Sequence, residues 1–313
     1  MRTIPPLLLL LIVIAILPLI SCAQQSVLDR SELEKERLYT QNDVQYAEAS
    51  EVMKLFIFSR PDMMVDINGY LAKYRNLQEV NLMNNQLNEF PQVLLKLPLL
   101  QVIDIRYNNI MEIPEDIEEL NNLTELHFSS NQIYTIPESI FKMQKIRVLN
   151  AGLNDLNDIS PEISNLINLE VLTLEHNKLT SIPESITELR GLKRLDLKMN
   201  RITSLPREFD SLYTLEYLDL TGNKLNEVPY QIYNLENLEV LKIRSANLRE
   251  ISDDIKRLKN LRVLDLSYNF LKELPDEIEE LKKLELLRLR DNPIDEDERE
   301  DIMEWLPGVE IVF

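Results

Sequence analysis

With 313 residues, 44% hydrophobic and 28% charged, the chain can bury a large core but is too polar for a multispan membrane protein. A formal net charge of −19 speaks against nucleic acid as a partner, because phosphate backbones select basic surfaces. Five glycines against fifteen prolines argue against a phosphate-cradling loop fold, and a single cysteine, Cys22, excludes an intrachain disulfide.

The first element in chain order is a targeting segment. Met1 and Arg2 give a positive start, and residues 4–20 are apolar apart from prolines. That run is shorter than the ~20 residues of a comfortable span and predicts a signal peptide over residues 1–21, with an uncleaved anchor helix as the alternative. Its end, Leu19-Ile20-Ser21-Cys22, resembles the lipobox of bacterial lipoproteins. The resemblance implies cleavage before Cys22 and lipid attachment at Cys22, so that the mature protein is held in a bacterial cell envelope by acyl chains contributing about 0.8 kcal/mol per buried CH₂. Ala23 after the Cys, in place of Asp, implies the outer membrane, with either side of it open. Residues 22–50 then read as the lipidated Cys and a polar tether. Ser31-Glu32-Leu33-Glu34 fits a helix capping box there, and a disordered linker is the alternative.

From Leu77 onward one unit repeats every 23 residues without insertion. Leu77, Leu100, Leu123, Ile146, Leu169, Leu192, Leu215, Leu238, Leu261 and Leu284 form its first column. Columns starting at Val80 and Leu82 keep the same step, as does a polar one: Asn85, Asn108, Asn131, Asn154, Asn177, Asn200, Asn223, Asn269 and Asn292, with Ala246 as the exception. The alternating L-x-L piece predicts a short strand with one face inward. No repeat buries its apolar face alone, so neighbours must stack. The Asn amide, which both donates and accepts, suits the turn out of each strand. Prolines at 91, 114, 137, 183, 206, 229 and 275 fix φ where no sheet donor is needed, and the residues after them suit one short helical turn with acid near its start. The unit LxxLxLxxNxLxxLPxxIxxL resembles the 23-residue class of leucine-rich repeats. The resemblance implies an α/β fold, a right-handed solenoid curved like a horseshoe, with a parallel sheet on the concave face and short helices or 3-10 turns on the convex face.

Ten repeats fill residues 77–292. A degenerate repeat over residues 51–76 reads as an N-terminal cap, with Ile67, Leu71 and Tyr74 in step with Phe90, Leu94 and Leu97 and a strand in 52–58 out of step. Residues 293–313 read as the C-terminal cap: an acidic helix start, a helix carrying Trp305 and a closing strand over 309–313. The acidic run lacks the ligand spacing and turn glycine of a calcium loop. Two repeats depart from the pattern, one at Ala151 and Ser160, the other at Ala246 and Ser252. Tolerated drift and a local kink that shapes a site both account for them, and Asn247 is a candidate substitute for the missing amide.

The outward strand residues line the concave face, which at about 4.8 Å per strand runs roughly 45 Å. That length suits a protein footprint better than a small molecule. Its C-terminal half concentrates Arg194, Lys198, Lys242, Arg244, Arg288 and Arg290, beside Asp219 and Asp265, while much of the acid lies on the outer turns. This half is the predicted partner surface, with Tyr217 and Tyr268 as aromatic anchors, against the plain alternative of a solvated face. No catalytic set emerges, and no cofactor or metal is expected. His127 and His176 lie two repeats apart, too far to share an ion, and Cys22 is committed to the anchor. The reading is a non-enzymatic, envelope-anchored scaffold for a protein partner. The alternative is a glycan binder using Tyr107, Tyr217 and Tyr268 as platforms.

Overall fold

The computed structural model describes residues 27–58 and 66–313. The expected signal peptide and Cys22 lie outside the described residues. The chain divides into two units, residues 1–36 and 37–313.

In the first unit, α1 (Arg30–Lys35) is capped by Asp29. Its carboxylate accepts from Glu32 N at 2.9 Å, and Glu32 reaches back to accept from Asp29 N at 3.3 Å. The expected capping box exists, but it opens at Asp29 and not at Ser31, whose hydroxyl donates to the Asp29 carboxylate at 2.8 Å.

The second unit is a leucine-rich-repeat solenoid whose described residues form one parallel sheet of thirteen strands in sequence order. They are β1 (Leu38–Thr40), β2 (Lys54–Phe56), β3 (Glu79–Asn81), β4 (Val102–Asp104), β5 (Glu125–His127), β6 (Val148–Asn150), β7 (Val171–Thr173), β8 (Arg194–Asp196), β9 (Tyr217–Asp219), β10 (Val240–Lys242), β11 (Val263–Asp265), β12 (Leu286–Arg288) and β13 (Glu310–Val312). From β3 to β12 every strand pairs with the next at a step of 23 residues, as Val80↔Ile103 and Leu264↔Leu287 do. From β2 to β12 the middle residue of each strand points into the core and is essentially inaccessible, for example Leu126, Leu195 and Leu264 at 0% exposure. A period-2 strand buried on one face needs only that pattern to fix its register.

Every repeat leaves its strand through a left-handed residue. Asn84, Tyr107, Ser130, Leu153, His176, Met199, Gly222, Ser245, Tyr268 and Asp291 all have φ between 51° and 73°. For a side chain such as Leu or Met this conformation costs about 1–2 kcal/mol. The Asn column, one residue later, holds the turn in place. Asn200 Nδ2 donates to the carbonyls of Leu174 and Leu197, both at 2.9 Å, and its Oδ1 accepts from Leu179 N at 3.1 Å. Asn108, Asn131, Asn154, Asn177, Asn223, Asn269 and Asn292 repeat that pattern. Asn85 makes the first rung by donating to Ile57 O at 2.7 Å.

At Ala246 the amide is missing, and Asn247 does not replace it. Asn247 is exposed, sits at φ 62°, and donates only to the Asn226 side chain, at 3.4 Å. The local backbone adjusts so that Asn226 N donates to Ala246 O at 2.9 Å. Ser252 in the same repeat does have a use. Unlike proline it keeps an N–H, which donates to the buried Tyr233 hydroxyl at 3.2 Å. Ser160 and Ser252 also cap their turns, accepting from Glu162 N and Asp254 N.

The outer connections are single 3-10 turns, most of them with proline as the flanking residue, as at Pro114, Pro137, Pro183 and Pro275. After Pro206 the turn is shorter, Phe209–Ser211. At the N-terminal end, α2 (Ile67–Leu71) buries Ile67 and Leu71 in step with the repeats. β2 is out of step: Lys54 pairs with Glu79 and Leu55 with Val80, further apart than 23 residues. The sheet also begins earlier than expected. Leu38–Thr40, assigned by sequence to the tether, pairs with β2 and buries Tyr39. An edge strand with no 23-residue echo leaves no periodic trace. At the other end, α3 (Glu296–Trp305) is capped by Asp295, which accepts from Glu298 N at 3.0 Å, and β13 closes the sheet on β12.

Candidate binding face

Where a strand ends in Asp, that residue has a structural duty that its polarity alone does not reveal. Asp104, Asp196, Asp219 and Asp265 accept the backbone N–H two residues on, at 2.9–3.2 Å, and so cap the strand exit. Asp219 and Asp265 are 4% and 2% exposed. They are therefore not surface contacts, as sequence position suggested. Lys242 lies 3.9 Å from Asp219, and Arg244 and Arg288 lie 3.8 and 3.9 Å from Asp265.

Those cations form two clusters on β8–β12. In the first, the Arg194 guanidinium stacks 3.5 Å above the Tyr217 ring, and Lys242 Nζ donates to the Tyr217 hydroxyl at 3.0 Å. Tyr217 in turn donates to Asp219 at 3.2 Å. Burial raises the Tyr217 hydroxyl above its ordinary pKa, and the Lys242 hydrogen bond works the other way. In the second cluster, Arg244 and Arg288 flank the Asp265 carboxylate at 3.8 and 3.9 Å, and Arg244 lies 5.2 Å from the Tyr268 ring. Arg194, Arg244 and Arg288 keep 40%, 41% and 43% of their side chains exposed. Lys198 sits beside the first cluster and Arg290 beside the second, neither with an ion pair among the described residues. Four cations, Arg194, Lys242, Arg244 and Arg288, thus lie within 4 Å of three buried carboxylates, Asp196, Asp219 and Asp265. The two tyrosines are not alike: Tyr217 is half-buried on its strand, whereas Tyr268 is exposed at the left-handed turn.

The strand face of β5–β7 has a different character. Gly152 leaves a hollow there, and the Glu175 carboxylate lies across it, so that a Cβ at 152 would collide with all three carboxylate atoms. One Glu175 oxygen, Asn150 Oδ1, Thr173 Oγ1 and His127 Nδ1 are buried without a hydrogen-bond partner. Burial pushes the Glu175 carboxyl above the usual range, and no cation lies within ion-pair distance of it among the described residues. This group was not picked out from the sequence. Its one signal there was a glycine, one of five in the chain, in a column otherwise filled by side chains. The two histidines do not come together: His127 Nε2 faces Glu125 at 3.4 Å, and His176 sits at a left-handed turn. Among the described residues no group of three His, Cys, Asp or Glu gathers to hold an ion.

Leucine-rich-repeat family models match residues 75–133 and 121–179, and a leucine-rich-repeat-region model matches 151–269 and 207–306. With the thirteen-strand sheet and the Asn ladder, these matches show that the chain belongs to the leucine-rich-repeat family, a protein-binding fold. No curated protein sequence matches it. Among solved structures it is similar to PEPR1 in the PEPR1–AtPEP1 complex, with 30% identity, 71% of this chain and 32% of that one covered, and a TM-score of 0.62. It is also similar to the TDR receptor, with 25% identity, coverages of 84% and 46% and a TM-score of 0.67. An internalin from Listeria monocytogenes shares the fold, with 20% identity, coverages of 77% and 82% and a TM-score of 0.53. The chain spans less than half the length of PEPR1 and of the TDR receptor.

Proposed function

We propose that the chain is a non-enzymatic scaffold, tethered to a bacterial envelope through Cys22, that holds a protein partner on the strand face of β8–β12. The observation that carries this reading is the local excess of cations, from Arg194 to Arg290, on a chain of net charge −19. Exposed guanidinium groups stacked on tyrosine are the side chains that dominate protein interfaces, and they select an acidic segment. The PEPR1–AtPEP1 complex, on a related solenoid, supports capture of a partner by this fold.

The test is capture from an envelope extract. The wild type should retain one protein in stoichiometric amount, and Tyr217→Ala, Arg244→Ala and Arg288→Ala combined should weaken its affinity by about 100-fold. Unchanged affinity overturns the placement. Cys22→Ala should release the protein from the membrane fraction, and retention there would overturn the anchor. A glycan reading rests on the exposed rings of Tyr107 and Tyr268. The third platform, Tyr217, already has Arg194 on its face.

A further inference from the structure

The unpaired polar atoms of β5–β7 form a group, not a scatter. His127, Asn150 and Thr173 are register partners on three adjacent strands. Glu175 follows Thr173 on the same face and folds its carboxylate over Gly152. Asn150 Oδ1, Thr173 Oγ1 and a Glu175 oxygen are acceptors withdrawn from water with no donor supplied. A buried acceptor left unmade costs the fold free energy and returns none. Three such acceptors on neighbouring positions contrast with β9 and β11, where Asp219 and Asp265 are engaged by hydrogen bonds.

Building on the strand face as a partner surface, we infer that the Gly152 hollow is a subsite for an arginine side chain of the partner, with Glu175 as its counter-ion and Asn150 and Thr173 as further acceptors. A guanidinium brings five N–H donors in a planar fork and is weakly hydrated, so it matches several fixed acceptors better than an ammonium does. Glycine is required at 152 because any side chain there would eject the carboxylate. The subsite abuts the cation row: Thr173 pairs with Asp196 on β8, and the charges of Lys198 and Arg194 act on Glu175. At about 4.8 Å per strand, a partner with a basic residue followed within a few residues by acidic ones would engage both.

Labelling with ¹⁵N-glycine yields five amide signals, of Gly69, Gly152, Gly191, Gly222 and Gly308, and only Gly152 lies in the hollow. N-acetylarginine amide at millimolar concentration should shift the Gly152 signal saturably and leave Gly191 and Gly308 still. N-acetylglutamine amide should shift nothing. Glu175→Gln, which keeps the shape and removes the charge, should weaken the arginine effect roughly tenfold while raising the melting temperature, since a desolvated charge is gone. A Gly152 signal that arginine does not move, a shift that survives Glu175→Gln, or a lower melting temperature in that variant overturns the subsite. If the cation-row triple variant loses the captured protein while Glu175→Gln keeps full affinity, the subsite alone falls and the wider reading stands.

Discussion

The strands β5–β7 and β8–β12 are built from the same repeat, with the same register and the same buried leucines, yet their outward faces are in opposite electrostatic states. On β8–β12 each buried Asp caps its strand and lies near a cation, as Asp265 does between Arg244 and Arg288. On β5–β7 the equivalent positions hold His127, Asn150 and Thr173, each with a buried atom unpaired, and an acid, Glu175, that feels the charges of Lys198 and Arg194 but makes no ion pair among the described residues. Both faces fit the same stack because the repeat's fold is set by its inward residues and its contacts with neighbours. Outward residues are thereby released for recognition, and one face can carry opposite demands a few ångströms apart.

The largest expected effect sharpens that contrast. Asp265→Ala removes the acceptor for Ser267 N and Oγ and leaves two arginines facing no charge, and should lower stability by about 2–3 kcal/mol in denaturant unfolding. The matched change on the other region, Thr173→Val, removes a hydroxyl with no partner and should cost almost nothing. Equal losses would break the comparison. Next in size, Ala246→Asn restores a rung for Leu225 N–H and the Leu220 and Ile243 carbonyls, and should raise stability by about 1 kcal/mol without altering partner affinity. An affinity loss would instead make the departure part of the site.

The pH dependence of two glutamates gives a third contrast. Burial raises the Glu175 pKa, so the native state holds this proton more tightly than the unfolded chain does. The stability associated with it is fully present below the ordinary glutamate pKa and is lost as pH rises to the raised value. Glu175→Gln should therefore exceed the wild type at neutral pH and match it in acid. Glu170 behaves oppositely. Burial alone would raise it, but hydrogen bonds from Arg147 and Lys193 outweigh burial and lower it. Its contribution is present above the ordinary pKa and fades as pH falls through the lowered one. Glu170→Gln should lose about 0.5–1 kcal/mol at neutral pH, and less in high salt. The same sign for both variants would mean that burial does not separate the two acids.

The repeat, its strands and its turns were legible because a 23-residue step multiplies every local preference ten times. Asn200 could be assigned to the turn before any coordinates, since eight other asparagines occupy the same column. The cation row was legible for the same reason, as its residues fall in three columns of the repeat. What has no echo was missed: β1 pairs only with β2, which is itself out of step, and the Asp29 cap is a single local event. The carboxylates were misjudged because an outward strand position does not say whether a side chain stands up into solvent, as Arg290 does, or folds down to cap the backbone, as Asp219 does.

The amino-acid order by itself determined the solenoid, since leucine spacing dictates which face each residue turns to the core and proline and asparagine dictate where each coil bends. Tertiary structure alone decided how the outward side chains share charge and hydrogen bonds across strands. Those contacts join residues 23 or more positions apart, and their geometry depends on which neighbour leaves room, as Gly152 does for Glu175.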